Sequence, residues 1–161
     1  MMVYLRSLFR SESGNSFVEM GMAAPVLATM LIGMVDLSRA YSAKLQLEQA
    51  AQRTIEQVMQ QSAASSDYSA ALKTEGAAAA GVAESAVTPD NWLECSADGV
   101  TWTRDPEGFN DACDAATPMY ARYVAVEIRK SYKPLFSSKY FPGSDQNGNY
   151  TLKGKAGVRI Q

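Results

Sequence analysis

The sequence predicts an α+β chain: one long N-terminal helix, then a small head built from a second helix and an antiparallel sheet. Three observations carry that reading. Sixteen consecutive residues from Met20 to Val35 hold no charge, apolar positions continue at helical spacing to about Gln61, and strict alternation closes the chain from Tyr150 onward. The resulting organisation is a leader at 1–14, a long helix at 15–61 whose part 17–36 spans a membrane, and a head at 62–161.

Composition narrows the function classes. The chain has 161 residues, 15 Lys+Arg against 17 Asp+Glu, 2 Cys and no His. That is enough for one modest core on an anchoring helix, not for two full cores. A net charge of -2 gives no global basic footprint for nucleic acid. Without His, the usual general base near neutral pH and the commonest zinc ligand are missing. No enzyme activity, metal or cofactor is expected.

The uncharged run MGMAAPVLATMLIGMV lies between Glu19 and Asp36. Its residues span about 24 Å as a helix, short of a hydrocarbon core of roughly 30 Å. Extending the helix over Asn15–Asp36 gives about 33 Å and takes Glu19 inside it. A buried soluble helix is the competing reading, but so small a remaining chain would struggle to cover a helix apolar on every side. Arg6 and Arg10 precede the run and favour a cytoplasmic N-terminus, against Arg39 and Lys44 beyond it. The rival is a cleaved signal peptide ending at Ser38-Arg39-Ala40, for which Asp36 and Arg39 make a poor flank.

Glu19 is costly at the head of an apolar helix and marks a partner or a pathway. Its bland alternative is a carboxylate at headgroup level, near a positive helix N-terminus. A cut after Gly14 would place a new α-amine on Asn15, four residues before Glu19, as one partner charge. Within the span, Pro25 forfeits a helical hydrogen bond, Gly33 adds a second soft point, and Gly21, Ala24 and Ala28 are small enough for close helix packing.

Beyond Asp36, Leu47, Ala51, Ile55 and Val58/Met59 repeat at helical steps and offer a stripe to the head. Ser62–Ser66 and Asp67 form a polar break. The Ala-rich Tyr68–Val87 reads as a second, weaker helix with Leu72, Ala79, Val82, Ala83 and Val87 as apolar positions, stopped by Thr88-Pro89; low complexity is the alternative. Trp92–Asp114 is irregular, acidic and solvated. It encloses Cys95 and Cys113, 18 positions apart, and an Asp98-Gly99 turn able to close a hairpin. Outside the cytoplasm the two Cys are expected as a disulfide, the alternative being two free thiols. Val124, Val126 and Ile128 mark the buried face of a strand at Tyr120–Tyr132. Tyr150, Leu152, Gly154, Ala156, Val158 and Ile160 mark another, after the Asp145–Asn149 turn. Leu135, Phe136, Tyr140 and Phe141 in the connector are expected to pack over an end of the core.

Gly14-Asn15-Ser16-Phe17-Val18-Glu19 resembles a type IV prepilin processing site, with the glycine before the cut and glutamate fifth after it. The wider stretch through Phe17-Val18-Glu19-Met20, Pro25, Gly33 and Ala50-Ala51 resembles the TadE-like family of tight-adherence pilus assembly proteins. It departs from that pattern at Met20-Gly21, where Phe-Ala is commoner, and at Gln52 before Arg53. The resemblance implies a minor pilin or pseudopilin of a Flp-type pilus. It would be held in the bacterial inner membrane by a single pass, N-terminus cytoplasmic and head periplasmic. Implied partners are a prepilin peptidase, the helices of a pilin or another minor pilin, the inner-membrane assembly platform and the lipid bilayer, with no nucleic acid. Implied processing residues are Gly14, Asn15 and Glu19. Phe17, Gly21, Ala24, Pro25, Ala28 and Gly33 are the expected packing residues. The alternatives are a pseudopilin of a type II secretion system, against which Asn15 stands where phenylalanine is usual, and a membrane-anchored binding module.

Other motifs are declined. Asp145-x-Asn147-x-Asn149 imitates a calcium loop, but Tyr150 stands where glycine is required and Ala156 where glutamate is. Glu107/Asp111 could serve acid–base chemistry only if they shared a cleft. The lysines and arginine at 130, 133, 153, 155 and 159 read as strand protection rather than a nucleic-acid surface.

Overall fold

The computed structural model describes residues 13–61, 68–136, 139–140 and 142–160, with the side chains of 13–16 and 61 excepted. Arg6, Arg10, the Ser62–Asp67 break and Phe141 lie outside the described residues. The chain divides into two units, Met1–Arg39 and Ala40–Gln161.

A single 49-residue helix, α1 (Ser13–Gln61), runs through that boundary with Pro25 inside it. Pro25 has no N–H to give the carbonyl of Gly21 one turn earlier. In the first unit the helix is exposed on every side. Phe17, Met20, Met22, Met30 and Leu31 are each more than 60 % exposed. A polar face, which a water-soluble surface helix would present, is missing here.

The second unit begins within α1, where the periodicity becomes one-sided. Leu47, Ala50, Ala51, Thr54, Ile55 and Val58 are buried, whereas Lys44, Arg53 and Glu56 face solvent. Thr54 satisfies its buried hydroxyl by donating to the Ala50 carbonyl at 2.8 Å. After α1 come α2 (Tyr68–Ala80), a 3-10 turn at Glu84–Ala86, and strands β1 (Val87–Ser96), β2 (Thr103–Asp105), β3 (Met119–Tyr132) and β4 (Tyr150–Arg159). The strands form one antiparallel sheet in the order β2-β1-β3-β4. Its inner face carries Val87, Leu93, Val124, Val126 and Ile128, and packs with the buried stripe of α1 and with Leu72 and Ala77 of α2. A long helix, a second helix and an antiparallel sheet are the architecture expected from the sequence; the number of strands, four, comes from the structure.

Three local expectations are corrected. The second helix ends at Ala80, not Val87. Gly81 adopts φ +61°, and the Val82 N–H bonds back to the Ala77 carbonyl at 3.1 Å, a glycine-terminated helix end. Gly76 and Ala77 are buried there, and Ala79 and Ala83 are exposed. Thr88-Pro89 does not stop a helix; it lies inside β1. Pro89 pairs with Val126 in the half of β1 that β2 does not reach, so its missing N–H interrupts no second ladder. Finally, Leu135, Phe136 and Tyr140 do not cover the core: they are 52 %, 56 % and 83 % exposed.

Candidate functional site

The residues singled out for function fall mainly in the first unit. Gly14 and Asn15 lie in the first turn of α1, and Glu19 one turn further on, its side chain exposed. Phe17–Gln60 is long and apolar enough to cross a membrane, and its most apolar window has a mean hydropathy of 1.7 with nothing buried. Thr29, the one hydroxyl of the uncharged run, donates to the Val26 carbonyl at 2.8 Å, which hides its donor within the helix.

At about 100° per residue, Phe17, Gly21, Ala24, Pro25 and Ala28 share one face of α1. Gly33 stands about 120° around from Gly21, and Glu19 about 160° around. The helix therefore groups five of the six expected packing residues, separates Gly33 from them, and turns the carboxylate to the opposite side. A Cβ at Gly21 or Gly33 would meet nothing within 4 Å, so both faces are open.

In the second unit, Cys95 and Cys113 are joined by a disulfide with their Cα atoms 5.8 Å apart. It ties the loop after β2 to β1. Arg122 of β3 fastens the same loop, donating to the Phe109 carbonyl at 2.9 Å and the Asp111 carbonyl at 3.0 Å. Phe109 is buried and meets Tyr68 of α2 edge-on at 5.9 Å. The acidic segment is thus a clasp on the core rather than a free loop. Asp98 organises the β1–β2 hairpin: its carboxylate accepts from the N–H groups of Thr101 and Val100 and from the Ser96 hydroxyl, at 2.8–3.1 Å. Those bonds, Thr101 first, hold its pKa down at about 2.

The outer face of the sheet was only partly legible in the sequence. Arg104 of β2 covers the Trp92 ring at 4.1 Å and pairs with Asp90 at 2.8 Å, and Trp92 stacks on Tyr123 at 5.1 Å. Beside them, Glu127 is ringed by Lys155 and Arg129 at 2.6 Å and by Lys153 at 3.6 Å. The Lys155 ammonium and then the Arg129 guanidinium hold its pKa at about 2. The strand register could have revealed this cluster, because Glu127 pairs directly with Lys155. These cations are engaged with the Glu127 carboxylate. A shallow depression of about 260 Å³ over Ala125 and Ala156 adjoins the cluster.

Asp145 closes the β3–β4 turn by accepting from the N–H groups of Asn147 and Asn149, each at 2.8 Å, which lowers its pKa. Glu107 and Asp111 are exposed. Among the described residues no group of three or more His, Cys, Asp or Glu could hold a metal ion.

With that geometry in place, comparison with known proteins is specific to one segment. Residues 14–55 match the family model for TadE-like proteins. No curated protein and no solved structure matches the chain. The matched residues run from Gly14 through the apolar helix to Ile55 in the second unit. Over that segment the chain is similar to TadE-like proteins.

Proposed function

We propose that this TadE-like chain is a membrane-anchored subunit of a tight-adherence pilus assembly system. In this reading 1–14 is a leader in the cytoplasm, Phe17–Asp36 spans the inner membrane once, and the head stands in the periplasm. One observation carries it: an uncharged helical run, exposed on every side, begins immediately after a G-x-x-x-x-E motif. Such a surface is stable only against lipid or other apolar helices. The Cys95–Cys113 disulfide supports an oxidising compartment for the head.

A prepilin peptidase cuts after Gly14 and leaves Asn15 as the first residue. Glu19 then pairs with the terminal amine of a neighbouring subunit. In a low-dielectric setting a staggered alternative would leave both charges without a partner, so the pair sets register. Because Glu19 stands opposite the Gly21/Ala24/Ala28 face, each subunit meets two different helices: one packs on the small residues and the other meets the carboxylate. The helices of a pilin or another minor pilin and the assembly platform are the partners so addressed. Mass spectrometry of the N-terminus from native membranes tests the scheme. Asn15 is the expected first residue; Met1 would make the chain an uncleaved anchor, and Tyr41 would make α1's first half a signal peptide.

A further inference from the structure

The orientation of elements within the second unit fixes which end of the head receives the chain from the apolar segment. Tyr68 at the start of α2 touches Phe109, whose carbonyl is held by Arg122, near the start of β3. At the other end of α2, the Ala80 carbonyl lies 3.5 Å from Lys130 Nζ, near the end of β3. Lys130 also lines a cavity with Ala43, Gln46 and Leu47 of α1, and Gly154 of β4 sits against Leu47. The beginning of the head's part of α1, the end of β3 and the beginning of β4 therefore lie at one end of this unit. The Val100 hairpin tip, beyond Ser96 and Met119, lies at the other.

The β3–β4 connector leaves from the first of these ends, and it is built unlike a polar turn. Pro134 is buried and secures it, whereas Leu135, Phe136 and Tyr140 point their apolar surface outward. Lys133 and Lys139 flank them, and the Lys139 ammonium lies 5.3 Å from the Tyr140 ring. Tyr41, on the first turn of α1 in this unit, is 62 % exposed. The one carboxylate of the connector, Asp145, is spent on its own turn. Exposed aromatic and aliphatic side chains interleaved with lysines suit the interfacial zone of a bilayer, where rings lie among headgroups and ammonium groups meet lipid phosphates.

We infer that Leu135, Phe136 and Tyr140, with Lys133 and Lys139, form a lipid-docking patch that seats the head on an anionic bilayer surface. This rests on the reading of Phe17–Asp36 as a membrane anchor. Along the chain, Asp36 precedes Ala40 by only four residues, and the head's part of α1 begins at the end of the head that bears the patch. A single apolar cluster of this size binds weakly by itself, and tethering supplies the effective concentration that makes weak contacts count.

The test uses the full chain, with its native disulfide, reconstituted in vesicles of phosphatidylcholine with or without about 30 % phosphatidylglycerol. Nitroxide labels are placed singly through Leu27→Cys, Phe136→Cys and Val100→Cys, and collisions with oxygen and with a water-soluble nickel chelate are compared. The oxygen-to-nickel ratio is expected to be highest at position 27, lowest at 100, and about threefold above the position 100 value at 136 in anionic vesicles. Adding Lys133→Gln and Lys139→Gln is expected to cut the excess at 136 by about half, because two headgroup contacts are removed. A lipid-exposed label at 27 with equal ratios at 136 and 100 overturns the docking patch and leaves the anchor standing. An aqueous signal at 27 overturns both.

Discussion

Gly154 of β4 lies directly against the backbone of Leu47 in α1. A Cβ on Gly154 would collide with the Leu47 carbonyl group and stand 2.8 Å from the Glu48 nitrogen. The obstacle is backbone, which cannot rotate aside as a side chain tip can. The long helix can approach the sheet this closely because β4 presents no side chain at that point, and the contact falls at Leu47, the first buried residue of α1's one-sided stretch.

Gly154→Ala is therefore expected to destabilise the head by about 2–3 kcal/mol, as overpacking against a rigid neighbour does. Trp92 and Trp102 both lie in the head, so tryptophan fluorescence of the full chain in detergent reports its unfolding directly. A lowering of the midpoint by roughly 10 °C is expected for a domain of this size. Gly157→Ala is the useful contrast. Its Cβ would meet the Ala125 methyl at 3.2 Å on the outer face, where the strands can spread slightly.

Glu127 provides the pH prediction. Its carboxyl is held at about 2, against an ordinary value of 4.5, by Lys155 and Arg129. A carboxylate depressed on folding adds stability that is fully present above pH 4.5 and lost as pH falls toward 2. Asp98, held at about 2 by the hairpin N–H groups, contributes with the same sign over nearly the same window. The melting temperature should therefore decline steadily below pH 4.5, and Glu127→Gln should flatten part of that decline. The partners are half exposed or more, so the substitution is expected to cost only about 1 kcal/mol at neutral pH.

What the sequence reveals follows the regularity of the forces. The long helix is legible because uncharged and one-sided stretches each have a clear period, and β3 and β4 because alternation is strict where one face is buried. β1 is not legible: Val87 and Pro89 follow an alanine-rich helix, and Pro89 speaks against a strand until its ladder is seen to be one-sided. The exposed Leu135, Phe136 and Tyr140 mislead in the same way, since apolar character alone says nothing about which side of a surface a residue occupies. In the candidate site, Gly14 and Glu19 are singled out by the resemblance to a prepilin processing site. That Glu19 faces away from Ala28 as well as Gly21 follows only once the helix is continuous through Pro25.

The Cys95–Cys113 disulfide offers a third test. Cys95 is in β1 and Cys113 in the clasp that carries Phe109 into the core. Replacing both with serine is expected to cost about 3 kcal/mol, the chain-entropy value for a loop of this length. Arg122 would still hold the Phe109 and Asp111 carbonyls, so the head should remain folded with a lower midpoint. Thermal unfolding with and without reductant should give the same shift in the native chain and none in the double variant.

Glu19→Gln separates assembly from folding. Glu19 belongs to the first unit and both tryptophans, Trp92 and Trp102, to the second, so the fluorescence midpoint should be unchanged within about 0.5 kcal/mol. The amide keeps the size of the side chain and removes its charge, which in the proposed pair would leave the neighbour's terminal amine without a counter-ion in a water-poor layer. Removing one partner of a buried pair costs about 3–5 kcal/mol, so incorporation into the assembly should fall by at least about tenfold. Co-purification with the pilus fraction, measured beside total membrane content, reads that fall. Normal incorporation of Glu19→Gln would assign the carboxylate to the headgroup level and the positive end of its own helix, and would remove the proposed register pair.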